Sequence, residues 1–564
     1  MKITQQPISR IMLLLLGVTY LIAMHLVMPN NGGSGADLPE PLLIWGLMVL
    51  MAIVGTLSFL RQNICISVSA KWFSFAAVLM TLPLVWSSHA DWVLDALPRF
   101  GGLWAGILLY VLFLNCRFTP PQIKWLLYGV AVAALIQALY SLAGLHFPYL
   151  LPVFEQDILK HSPGSVGVFQ QRNVTASFIA TGGAVLLFIL GSSFFECQNR
   201  HINHARKIAA SAGTMIIYVV LTEIQSRIGW LSGICVYTGM LLLYWRRGTS
   251  ATIRFTLLLA PIAGIFCGAM LMHNTLTEAL RQHDSSNLQR IMILHETWRM
   301  ILMHPLMGWG YGSYVWSFAH FIADRVSPVD TGGVFIPHPH NEILYWWMEG
   351  GALALSGVII LCYAGGRLLL SINDKKGFAI FICILPLLLH TQVEYPFYQS
   401  PIHWLTLILF LSLIDNRPQC ECHITYGKWW RSVVMTGGAI VLFFILGLVA
   451  ISLRNEFILT KFEHQPDEYY QNVLLLPETG ISTERIRRLK AEALIVDYQH
   501  KNNISQLHVF THDAYDWLRT WEDADMYDNL IKINSFLGRK YSGEHLREEA
   551  HRLFVADPRF NEKS

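Results

Sequence analysis

Five polar groups interrupt an otherwise apolar chain: Phe169-Gln170-Gln171-Arg172-Asn173, Gln225-Ser226-Arg227, Arg290, His338-Pro339-His340-Asn341-Glu342 and Glu394-Tyr395-Pro396. Arginine presents a planar fork that fits phosphate oxygens and stays charged. Two or three such groups can hold a pyrophosphate without a metal and stabilise it as a leaving group. A histidine ordinarily titrates near neutral pH, so a residue of this type at 340 can take a proton from an incoming hydroxyl. A phosphate-bearing lipid would explain why such groups stand beside apolar spans.

Each group also has a structural alternative. Gln170 and Gln171 suit a helix cap, and Arg227 suits a side chain snorkelling to the interface. Arg290 suits a solvated helix face, His340 a helix-entry histidine bonded to backbone, and Tyr395 an interfacial aromatic. Other chemistries find little support. His338-x-His340 lacks a carboxylate pair at ligand spacing. Cys420-Glu421-Cys422-His423 is half a metal site and reads as reduced loop cysteines. Gly308-Trp-Gly310-Tyr-Gly312 lacks the spacing and the preceding strand of a nucleotide loop. No G-x-S-x-G and no nucleophile triad is present.

The elements that must position these groups follow from composition. The 564 residues are 53% hydrophobic and 14% charged, against roughly 25% charged in soluble proteins. Residues 1–453 hold 45 of the charges and 454–564 hold 34, so a sparse membrane part precedes a dense soluble tail. Runs of roughly 20 apolar residues place thirteen spans near 11–28, 41–60, 72–88, 100–116, 123–146, 174–195, 208–222, 228–245, 255–272, 343–365, 377–391, 401–415 and 432–453. With a cytoplasmic N-terminus, inside segments carry 18 Lys and Arg and short outside loops carry four. That split orients the bundle and puts all five polar groups on the outer face. It also puts 273–342 and 454–564 outside. No cysteine falls in an outside loop or in the tail, so no disulfide framework is expected. The expected class is an all-α polytopic membrane protein with a transmembrane catalytic domain, 1–453, and a helical soluble domain, 454–564.

The motifs then become recognisable. Val168-Phe-Gln-Gln-Arg-Asn-Val-Thr-Ala-Ser177, Ser226-Arg227, Arg290 with His304-Pro-Leu-Met-Gly-Trp-Gly-Tyr-Gly312, His338-Pro-His-Asn-Glu-Ile-Leu344 and His390-Thr-Gln-Val-Glu-Tyr-Pro396 follow in order across most of 1–415. In this the chain resembles the bacterial O-oligosaccharyltransferases of the PglL type, within the superfamily of O-antigen ligases and polymerases. The resemblance implies a GT-C-like fold in the bacterial inner membrane, with its large loop and active site facing the periplasm. It implies en bloc transfer of a glycan from undecaprenyl pyrophosphate to Ser or Thr of a pilin-like acceptor protein. It implies that no cofactor, metal or nucleotide sugar is used, and no nucleic-acid partner is expected. By the same resemblance His340 is the essential histidine, and Arg227 and Arg290 face the pyrophosphate. Gln170, Gln171, Arg172, Tyr395 and His338 are expected at bound substrate. Rival expectations are an O-antigen ligase acting on lipid A core, an O-antigen polymerase and, more distantly, a secondary transporter.

Overall fold

The computed structural model describes residues 7–60, 64–87, 89–162, 167–245, 250–272, 276–325, 336–415, 422–424, 427–479, 481 and 483–561. Eleven helices among them are long and apolar enough to cross a membrane, from Ile8–His25 to Trp429–His464. Two further expected spans, 377–391 and 401–415, fall on the shorter helices Lys375–His390 and Pro401–Ile414. An apolar run in the absence of water must satisfy its backbone within itself, and the helix is the open-ended way to do so. Polar side chains close several helix starts. Gln171, Asn199, Ser226, Ser250 and Asp374 each accept a hydrogen bond from a first-turn N–H.

By packing, the chain forms two units. The first comprises Met1–Phe75, Gly102–Arg281 and Ile360–Leu453. At its centre is the Arg172–Gly191 helix, whose apolar window is 94% buried. Around it pack Pro120–His146, Arg200–Glu223, Arg227–Tyr244 and Lys375–His390. Close approach needs small residues. At Gly264-Ile-Phe-Cys-Gly268, a β-carbon on Gly264 would lie 2.5 Å from the Met215 carbonyl oxygen, and one on Gly268 would lie 2.7 Å from that of Val219. Gly268→Leu is therefore expected to cost about 1–3 kcal/mol, read as a lower melting temperature in detergent. An unchanged melt would show that the two helices can part freely.

The second unit comprises Ala76–Gly101, Gln282–Ile359 and Arg454–Ser564. Its tail stacks the helices Pro466–Leu474, Thr483–Lys501, Ile504–Leu518, Ala524–Phe536 and Lys540–Leu553, each against the next. Phe510, Ala514, Leu530 and Ala550 form a fully buried core there. The last helix ends at Leu553, ahead of Asp557-Pro558, where Asp557 instead caps a short 3-10 turn.

Four features depart from the sequence reading. The last span continues as one helix, Lys428–His464, past residue 453. Nothing breaks it before Gln465-Pro466, where the residue preceding proline is driven out of helical geometry. The Glu342–Leu370 helix is broken at Gly351. Strands Ile64–Ile66 and Cys422–Ile424 pair antiparallel, with Cys65 opposite His423. They join two loops that the alternation of spans had put on one face, and they are a small exception to an all-α chain. In that first strand Cys65 is disulfide-bonded, where no disulfide framework was expected. Cys116, Cys197, Cys235, Cys267, Cys362 and Cys383 are free thiols. The Cys420-Glu421 part of the half metal site, and the side chains of Cys422 and His423, lie outside the described residues.

Candidate active-site residues

The eight candidate residues divide between the units. Gln170, Gln171, Arg172, Arg227 and Tyr395 belong to the first, and Arg290, His338 and His340 to the second.

In the first unit a carboxylate gathers the motifs. Glu394 is buried and accepts from Gln171 Nε2 at 2.8 Å and from Asn173 Nδ2 at 2.7 Å. Asn173 Oδ1 accepts from Ser226 Oγ at 2.7 Å, and Ser226 caps the helix that begins at Arg227. Gln171 also caps its own helix by accepting from Val174 N at 2.8 Å. The capping alternative for Gln171 thus describes half of its side chain, and its amide N–H is spent on Glu394. Behind the carboxylate lies a fully buried relay. His390 Nδ1 is 2.8 Å from Ser177 Oγ, which is 3.0 Å from His403 Nε2, and His403 Nδ1 is 2.8 Å from Ser400 Oγ. The sequence signals for these partners were weak: a histidine four residues before Glu394, and a lone histidine in an apolar run.

Gln170 is buried, and its Nε2 donates to Asn30 Oδ1 at 3.1 Å. Arg172 and Arg227 open their helices and are half-buried. Tyr395 follows Glu394, and burial together with that carboxylate pushes its hydroxyl up to about 12. It therefore keeps its proton, and can donate it in a hydrogen bond, at neutral pH.

In the second unit His338 is buried, and its Nδ1 accepts the backbone N–H of His340 at 2.9 Å. Its Nε2 stands 3.6 Å from Glu342, and its ring meets Tyr345 edge-on at 4.4 Å. His338 thereby braces the turn that carries His340, which is half-buried. Arg290 is half-buried on the Leu276–Met303 helix. The exposed neighbours Leu288 and Ile291 are apolar, which is not the composition of a solvated face.

Backbone strain marks the same motifs. Five described non-glycine residues have positive φ, and three of them are Gln170 (50°), Gln225 (56°) and His340 (57°). Such conformations cost of order 1–3 kcal/mol and gather at functional sites.

The glycine-rich stretch has another explanation. Trp309 N and Gly310 N donate to the carbonyls of Met348 and Glu349, and Ala352 N donates to Leu306 O. The loop thus docks on the break at Gly351. Gly308 and Gly312 have positive φ, and a β-carbon there would run into the Glu349 and Trp92 carbonyls. These glycines serve close packing rather than a phosphate.

Sequence reasoning passed over Arg99. It pairs with Glu349, both nearly fully buried, and lies over the rings of Tyr345 (4.6 Å), Trp346 (4.9 Å), Tyr311 (5.1 Å) and Phe100 (5.6 Å). In the same unit, His320 pairs with Glu522 at 3.1 Å and with Glu549 at 3.6 Å. These carboxylates overcome desolvation and hold the imidazole up at about 10. A folded value above the ordinary 6.5 means stabilisation that is complete below about 6.5, erodes as pH rises and is gone above about 10. Wild-type protein should lose stability across that window, and His320→Gln should flatten the slope in melts taken at successive pH values.

Comparison with known proteins agrees with this architecture. Residues 210–359 match the O-antigen ligase family, and residues 378–562 match the C-terminal region of the virulence factor membrane-bound polymerases. The ComP-specific O-oligosaccharyltransferase of Acinetobacter baylyi is 21% identical over 391 residues, 67% of each chain. Many apolar helices and these matches describe a multi-pass membrane protein similar to glycan-transferring enzymes. These matches support a place for the chain among the O-antigen ligase superfamily and its PglL-type enzymes.

Proposed function

We propose that the protein transfers an oligosaccharide en bloc from undecaprenyl pyrophosphate to Ser or Thr of a periplasmic acceptor such as a pilin. The observation that carries this reading is the similarity, over two thirds of the chain, to an oligosaccharyltransferase. In the proposed reaction Arg227 and Arg290 take the pyrophosphate oxygens and stabilise the leaving group as the sugar–oxygen bond breaks. His340 accepts the proton of the acceptor hydroxyl as the new glycosidic bond forms. His338 holds His340 through its backbone. Gln170, Arg172 and Tyr395 contact bound substrate, and Gln171 with Glu394 ties the segment around them.

The match of 210–359 to O-antigen ligases favours a second reading, transfer of the same donor's glycan to lipid A core. Reconstitution separates the two. The protein is supplied with a lipid-pyrophosphate oligosaccharide, a pilin-like protein and lipid A core. Glycan mass on Ser or Thr, found by mass spectrometry, supports protein glycosylation; mass on lipid A core alone overturns it.

The proposed orientation puts this chemistry on the periplasmic face of the inner membrane. Cys197, an exposed free thiol in a loop of the other face, should react with a membrane-impermeant maleimide in inverted vesicles and not in intact spheroplasts. The reverse pattern would invert the topology.

A further inference from the structure

A cavity of about 760 Å³ lies within the second unit, between the Leu276–Met303 and Tyr314–Ala323 helices. That volume falls in the range of small-molecule sites, about 300–1,000 Å³. None of the eight candidate residues lines it, although Trp309 of the 304–312 motif does. Its walls combine the rings of Trp309, Trp316 and Phe321 with Arg299, Asp324 and Arg325.

Both arginines are anchored from behind. Arg325 donates from Nη1 to buried Glu296 at 2.8 Å, and Arg299 does so at 3.2 Å. Each guanidinium carries five N–H donors, so each keeps donors beyond the one used on Glu296. The rings are held too. Trp309 Nε1 donates to Met300 O at 2.9 Å, and Trp316 stacks on His320 at 3.8 Å. His320 is in turn fixed by Glu522 and Glu549. The walls are therefore pre-formed, which lowers the entropy cost of binding.

Flat apolar rings beside forked donors and a carboxylate describe a particular ligand chemistry. A pyranose offers C–H faces that lie on aromatic rings and an equatorial rim of hydroxyls that bonds planar groups. An acyl chain would cover the arginines' remaining N–H donors without offering an acceptor, at a desolvation cost; Asp324 already pairs with Arg552 at 3.3 Å. We propose that this cavity binds saccharide rings of the donor glycan away from its pyrophosphate end. The proposal rests on the glycan-transfer reading and deepens it, since it would let the enzyme sense the length of what it transfers.

The test uses full-length protein in lipid nanodiscs and two readouts. Free di- to tetrasaccharides of hexoses and N-acetylhexosamines are titrated by calorimetry and saturation-transfer NMR. Transfer is then measured from lipid-pyrophosphate donors carrying one sugar or an oligosaccharide. Arg299→Gln, at a side chain that is 44% exposed, is expected to fold, and Trp316→Ala removes a ring. Each should weaken saccharide binding about tenfold. Each should raise KM for the oligosaccharide donor by a similar factor and leave the one-sugar donor unchanged. Equal binding by wild type and Arg299→Gln overturns the proposal. So does a KM change confined to the acceptor protein, which would make the cavity an acceptor dock. Saccharide binding lost in the variants of a protein that transfers no glycan would overturn the transfer reading and leave the cavity's ligand class standing.

Discussion

If His340 is the general base of the proposed transfer, His340→Ala is expected to lower glycan transfer by about 10²- to 10⁴-fold, the range removed with such a base. The loss falls on kcat, because the proton moves only as the acceptor attacks; KM for the donor is unchanged. Backbone geometry complicates the substitution. His340 sits at φ 57°, where alanine is strained and asparagine is tolerated. His340→Asn is therefore the cleaner variant: it keeps the turn, keeps a polar side chain and cannot serve as a base near neutral pH. Both variants should lose activity alike, while His340→Asn melts closer to wild type. Full activity in His340→Asn would remove the catalytic assignment. Activity that tracks the melting temperature would make His340 a turn residue only.

The second large effect is on stability. Arg99→Ala leaves Glu349 buried without its cation, and stranding one partner of a buried ion pair costs about 3–5 kcal/mol. Loss of the four ring contacts adds to this. Glu349 also accepts the backbone N–H of Tyr314 at 3.1 Å, so its displacement disturbs the start of the Tyr314–Ala323 helix. The double variant Arg99→Met with Glu349→Leu discriminates between causes. Replacing both charges by apolar groups of similar volume is often neutral or stabilising, so the double variant should recover much of what Arg99→Ala loses. If the pair is instead needed for function, the double variant melts like wild type and transfers no glycan.

Local properties were legible in the sequence, and long-range partners were not. Apolarity and length are properties of a segment, so every expected span falls on a helix, including the short 377–391 and 401–415. The motifs around Gln171, Ser226 and Glu394 were visible as polar punctuation. That one carboxylate holds Gln171 and Asn173, and that Asn173 in turn holds Ser226, joins residues up to 223 positions apart. No spacing rule predicts such a join. Arg99 looked like one of four basic residues in outside loops. Only its partner 250 residues away and the rings around it distinguish it. The break at Gly351 was hidden for a related reason. Glycine in an apolar run is ordinary in a membrane helix, and what keeps the break open is the docked 304–312 loop.

That docking bears on how the chain is made. A break in a spanning helix exposes backbone groups that lipid cannot satisfy. Here Ala352 N finds Leu306 O, and the Met348 and Glu349 carbonyls find Trp309 N and Gly310 N. The loop lies upstream of the helix, so synthesis delivers the partner before the break emerges. A circular permutant that moved 304–312 downstream of Leu370 would have to insert this segment with its polar backbone unmet. Biogenesis, rather than the finished fold, is where it should fail.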